Sequence, residues 1–166
     1  MQQPLFIGRT KDGSKVYVDM ETSHAATHFA DTPQLLELVR EVLPTLELDN
    51  DSKRFELDMG RIVGESDCVE TGTEDNIIYA KRLSRDTYSR FVRGKHTIQT
   101  SWLTISLERI DKDTCELVTA YIGRSAPPFP GNEFETPESR PFWEEHALVW
   151  GEQQIVPGTE TKDRPW

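Results

Sequence analysis

Residues 102–122 constrain the fold more than any other stretch of this chain. In the segment WLTISLER (102–109), Leu103, Ile105 and Leu107 fall on one side of an extended backbone. Trp102, Thr104 and Ser106 fall on the other. The segment ELVTAYI (116–122) alternates in the same way. It brings Val118, Ala120 and Ile122 beside the apolar set, and Thr119 and Tyr121 beside Ser106 and Thr104. A loop from Asp111 to Thr114 joins the two runs, and a slip of one residue would turn every apolar side chain to the wrong face, so burial selects this register. The expectation is an antiparallel hairpin with one greasy face and one face rich in hydroxyls.

The sequence also offers two helices. Thr32-Pro33 reads as a helix start, with Leu35, Leu38, Val39 and Val42 recurring at helical spacing, which predicts a helix over 33–43. Ser139-Arg140-Pro141 opens a second, over 139–146. Further strands are expected at 5–7 and 16–18, joined through Asp12-Gly13, at 55–59, at 77–80, at 88–92 and at 147–150. SHAATHFADT (23–32) is small and polar and reads as a loop or a loose helical turn, the acidic stretch 64–76 as a loop with a brief strand at Cys68-Val69, and the proline-rich stretch 125–139 as a loop. The architecture expected is α+β: a single domain over 1–150, with a twisted antiparallel sheet of about five or six strands and two helices, then a polar tail over 151–166.

Charge narrows the chemistry. The chain carries −10 overall, yet Lys81, Arg82, Arg85, Arg90, Arg93 and Lys95 stand together against one acid, Asp86. Such a block either neutralises the protein's own carboxylates or meets an anion such as phosphate. The acidic whole argues against diffuse nucleic-acid binding, but not against one local anion site. Cys68 and Cys115 form no CxxC and suit buried free thiols. No apolar run approaches a membrane span, and the opening residues have neither the basic nor the apolar region of a secretory leader, so a cytoplasmic setting is expected.

Nucleotide-binding glycine loops and the GxSxG elbow are absent. His24 and His28 stand four apart, but HAATH lacks the glutamate of HExxH, so no metal and no cofactor is expected. Arg90, Arg93 and His96 arrive immediately before the hydroxyl-bearing strand with Thr104, and Thr119 follows on its partner. Guanidinium groups, hydroxyls and a histidine are what metal-free phosphodiester cleavage needs: a base for the 2′-hydroxyl, an acid for the leaving oxygen, and donors for the charge gathering on phosphorus. Lys81, Arg82, Lys95 and Tyr121 would then hold the substrate. His24 and His28 are the alternative proton-transfer residues.

The succession of a strand, a basic segment, the hydroxyl strand TSWLTISL and the closing strand ELVTAYIG resembles the barnase–EndoU–colicin–RelE group of ribonuclease toxins over residues 77–123. The resemblance implies RNA cleavage on a sheet face, with Thr119 at the late-strand hydroxyl position and Arg93 and His96 at the basic and histidine positions. Two departures stand beside it. Many toxins of this group are basic, and their histidine usually precedes the basic strand, which points to His24 or His28. The expectation is a metal-independent endoribonuclease acting on RNA. The alternative is a non-enzymatic module whose acidic surface engages a basic protein, with the basic block balanced internally by the 65–75 loop.

Overall fold

In the computed structural model, which describes residues 3–83 and 85–166 apart from the side chains of His24, Thr27 and Asp31, the 102–122 hairpin forms in the register its alternation predicts. Ile105 faces Ala120, Tyr121 faces Thr104 and Thr119 faces Ser106. One residue departs. The ladder shifts between Leu117 and Thr119, so Leu117 enters the core while Val118, expected there, bulges out and is 41% exposed. The turn is also tighter than expected, because pairing already resumes at Thr114 opposite Asp111.

The fold is α+β, but its strands make sheets of five, four and two strands in place of one. The chain forms two compact units. The first comprises Met1–Gly64 and Thr100–Arg124, the second Glu65–Gln99 and Ser125–Trp166.

In the first unit the strands are β1 (Leu5–Arg9), β2 (Lys15–Val18), β3 (Ser52–Asp58), β9 (Trp102–Asp111) and β10 (Thr114–Ile122), ordered β1-β2-β10-β9-β3. All neighbours are antiparallel except β10 and β2, which run parallel over three residue pairs. That short pairing ends at Glu116, beyond which helix α1 (His24–Asp31) packs along β10. The 23–32 segment, for which a loop or a loose helical turn was expected, is helical for two reasons. Ser23 accepts the Ala25 amide at its start, and Ala25 and Phe29, four apart, are both buried. The Ser23 hydroxyl also reaches the carbonyls of Leu117 and Val118, fastening the helix to the bulge.

Helix α2 (Gln34–Val42) buries Leu35, Leu38, Val39 and Val42, the four residues at helical spacing. Thr32 does not cap it; Thr32 instead closes α1 by donating its amide to the His28 carbonyl. These helices lay their apolar residues into one core with Leu103, Ile105, Leu107, Leu117 and Ala120. Each such fully buried aliphatic side chain contributes about 1.5–3 kcal/mol relative to exposure.

The second unit holds β5 (Cys68–Glu70), β6 (Asn76–Lys81), β7 (Tyr88–Arg93) and β11 (His146–Val149), in the order β5-β11-β7-β6. Helix α3 (Ser139–Glu145) leads directly into β11. Trp143 stacks on Phe129 at 3.8 Å and donates its indole N–H to the Pro127 carbonyl, so the proline-rich segment is held by its own aromatic residue. The C-terminal residues do not trail along the surface. Ile155 is buried, Val156 donates to Lys81, and Thr161 exchanges two 2.8 Å backbone bonds with Tyr79, covering the open edge of β6. The third sheet pairs β4 (Gly64–Ser66) with β8 (Ile98–Thr100). Among the described residues no helix is long and apolar enough to cross a membrane.

Candidate functional site

The residues singled out from the sequence divide between the two units. Lys81, Arg82, Arg90, Arg93, Lys95 and His96 belong to the second; His24, His28, Thr104, Thr119 and Tyr121 belong to the first.

Most of the basic block is engaged where it stands. Arg90 is buried, donating from one guanidinium nitrogen to the Thr71 hydroxyl at 2.8 Å and the His146 carbonyl at 2.9 Å, while its Nε has no hydrogen-bond partner. Lys95 donates to the Glu70 carbonyl and pairs with Asp75 at 3.3 Å. The Asp75 carboxyl lies below its ordinary range, first because the Gly72 amide donates to it and then because Lys95 and Arg90 stand near. Arg82 donates to Ser89 and lies over Phe129, and burial, with Arg85 adding to it, lowers its pKa. Arg93 lies 4.4 Å over the ring of Trp150, and Lys81 lies 5.5 Å over that of Tyr88. His96 is exposed in the segment after β7. This block thus ties strands and the 70–75 loop together inside its own unit.

The hydroxyl face of the first unit is assembled differently. Thr104, expected to present its hydroxyl on an open face, is fully buried and donates to the Gly123 carbonyl at 2.8 Å. Gly123 makes this bond possible: its φ of 109° is a conformation that side-chain-bearing residues rarely adopt, and it turns the carbonyl back toward β9. Thr104→Val is expected to lower stability by about 1–3 kcal/mol, because a buried carbonyl loses its donor. Urea unfolding measures this, and an unchanged midpoint would mean the bond does not hold the strand end.

One step along β9, Ser106 is only half-buried and lies between two cross-strand partners, Arg54 on β3 and Thr119 on β10. Arg54 donates from Nε to the Ser106 Oγ at 3.1 Å. A guanidinium and two hydroxyls therefore stand on one rung of the sheet, facing away from the core. Tyr121, two residues beyond Thr119, points to the same side, and the exposed His28 sets its ring 6.1 Å from the Tyr121 ring. The helix that carries His28 reaches this place because its apolar residues Ala25 and Phe29 are anchored in the core. His24 begins the same helix, and its side chain lies outside the described residues. Beyond Thr104, Arg124 pairs with Glu56 at 3.1 Å and lies 4.3 Å over the Trp102 ring.

Of these, Arg54 and Ser106 were not among the residues chosen from the sequence for chemistry. The signal for Arg54 was present, since it alternates with Phe55 and Leu57 and must face away from the core. What pairs with that strand is a non-local fact that alternation does not carry.

Neither cysteine suits nucleophilic work. Burial, with Asp67 adding to it, pushes the Cys68 thiol up to about 12, and burial likewise raises Cys115. Both therefore stay protonated through neutral pH. In the native protein iodoacetamide at pH 8 is expected to label neither, whereas both react after unfolding; rapid native labelling of the partly buried Cys68 would contradict its raised pKa. No group of three or more histidine, cysteine, aspartate or glutamate side chains suited to a metal ion occurs among the described residues. A shallow groove of about 380 Å³ in the second unit is lined by Pro137, Glu138, Pro141, Phe142, Glu145 and His146. The His146 Nδ1 lies 3.0 Å from the Phe142 carbonyl, which can only accept, so in the neutral ring the proton sits on Nδ1.

No protein-family model, no curated protein and no solved structure matches the chain.

Proposed function

We propose that the protein is a metal-independent endoribonuclease acting on the hydroxyl-bearing sheet face of its first unit, in the manner the resemblance to the toxin group implies. One observation carries this reading: His28, Tyr121, Thr119, Ser106 and Arg54 gather on or beside that face, outside the core. His28, from the alternative histidine pair, takes the place that His96 was expected to hold.

The chemistry follows from the residue types. His28 accepts the proton of a ribose 2′-hydroxyl. The 2′-oxygen attacks the adjacent phosphorus and the bond to the 5′-oxygen breaks, giving a 2′,3′-cyclic phosphate and a 5′-hydroxyl end. Arg54, steadied by Ser106, and the hydroxyl of Thr119 donate to the phosphoryl oxygens as negative charge gathers there. The Tyr121 phenol or solvent returns a proton to the leaving oxygen. In water-shielded sites one such donor is typically worth about a hundredfold or more in rate.

The test is incubation of the purified protein with single-stranded RNA in chelator, followed by end-group analysis. Products ending in 2′,3′-cyclic phosphate support the reading. Intact RNA across varied sequences ends it.

A second reading has its own observation. The basic block is absorbed by Thr71, Ser89, Asp75 and aromatic rings, so the acidic remainder of the surface is left to engage a basic protein without any catalysis. In that case RNA survives, and replacing surface carboxylates by amides abolishes partner capture.

A further inference from the structure

We propose that Arg124, backed by Trp102, is a stacking platform for an unpaired nucleobase beside the phosphodiester that is cut. The inference rests on the ribonuclease reading and adds where the substrate's base is held and why the strand must be single.

The guanidinium of Arg124 lies 4.3 Å over the Trp102 ring centroid, and its Nε donates to Glu56 Oε2 at 3.1 Å. One side of the group is thus covered by indole and its orientation is fixed by the carboxylate, yet the Arg124 side chain remains 63% exposed. A flat cation held in a fixed orientation and left open to solvent is a stacking surface for a base. Structural value does not account for it well, since an exposed ion pair of this kind contributes between nothing and about 1 kcal/mol.

Position supports the same reading. Trp102, Thr104 and Ser106 share one face of β9, so Trp102 lies about 13 Å along the strand from Ser106 at the usual rise per residue. That is too far to touch the phosphorus being attacked at the Arg54–Ser106–Thr119 rung. It suits a base adjoining the scissile bond. Between them on β9 Thr104 is buried and tied to Gly123, so that strand exposes no further hydroxyl there. Stacking on a π-face tolerates every base, so the platform should require an exposed base without reading its identity.

The experiment uses the whole protein and two probes. The first is a 2′-O-methyl oligonucleotide carrying 2-aminopurine, which cannot be cleaved and whose fluorescence reports stacking. The second is a cleavable RNA with or without an abasic position beside the cut. Wild type is expected to bind the first probe with a change in its fluorescence and to cleave the abasic RNA more slowly. R124A should weaken binding and raise KM by roughly five- to a hundredfold, the usual worth of one stacked base. R124K keeps the charge but not the plane, so it should behave like R124A, with an unchanged urea midpoint for both.

If R124K restores wild-type binding, the contact is charge alone and the platform is overturned. Equal cleavage of abasic and normal RNA by wild type also overturns it, while leaving the ribonuclease reading intact. Binding with the fluorescence change but no cleavage of any RNA has the opposite meaning: the platform stands and the cleavage reading fails. Absence of binding by wild type overturns the platform outright.

Discussion

Alanine in place of His28 is expected, under the proposed ribonuclease reading, to slow metal-free RNA cleavage by roughly a hundredfold or more, because that reading makes His28 the base for the 2′-hydroxyl. Folding should barely respond. His28 is exposed on the outer side of α1, whose anchoring falls to Ala25 and Phe29, and such surface changes usually stay within about 0.5 kcal/mol. The comparison with two other histidines gives the experiment its resolving power. His96→Ala alters an exposed residue of the second unit and should leave the rate within a few-fold. His24→Ala alters the start of the same helix and tests the second member of the pair. A His28→Ala protein that cleaves at the wild-type rate would remove His28 from the chemistry, and a large loss at His96 alone would move the site to the basic block.

Ile105→Ala is expected to cost about 2–5 kcal/mol of stability, the usual range for truncating a buried aliphatic side chain to alanine. Ile105 is fully buried at the middle of β9, with Phe55 opposite on β3 and Ala120 opposite on β10. Alanine on one side leaves little nearby bulk to close the cavity, which favours the upper part of that range. Val118→Ala, on the exposed bulge of the next strand, should change stability by about 0.5 kcal/mol or less. Equal effects at the two positions, read by denaturant unfolding, would mean that the facing of the hairpin is not as described.

The hairpin was legible because its information is local. Alternation over residues 102–122 and a short turn leave one register that buries Leu103, Ile105 and Leu107 together. The helix over Leu35–Val42 was legible for the same reason, through its period. Helix α1 was legible only as an alternative to a loop, since only Ala25 and Phe29 mark its buried side and the residues around them favour loops as readily. The separation into several sheets was hidden as well. It depends on β2 running parallel to β10 and β11 running parallel to β7, pairings between segments far apart in the chain that no local pattern announces. The candidate site was half legible. Thr119 and Tyr121 follow from the hairpin, and His28 from its residue type. Arg54 joins them only because β3 takes the outer edge of β9. The basic block drew attention through charge, but charge density does not distinguish an anion site from the internal bonds that Arg90 and Lys95 make.

The most direct measurement uses a DNA oligonucleotide containing a single ribonucleotide, prepared with each of the four bases and incubated with wild-type protein in chelator. One cut is expected, immediately 3′ of the ribonucleotide, leaving a 2′,3′-cyclic phosphate. No cut is expected in the all-DNA strand, and a strongly slowed cut with His28→Ala purified in the same way. Intact oligonucleotides for all four bases, or cleavage of the all-DNA strand at a similar rate, would contradict the ribonuclease reading.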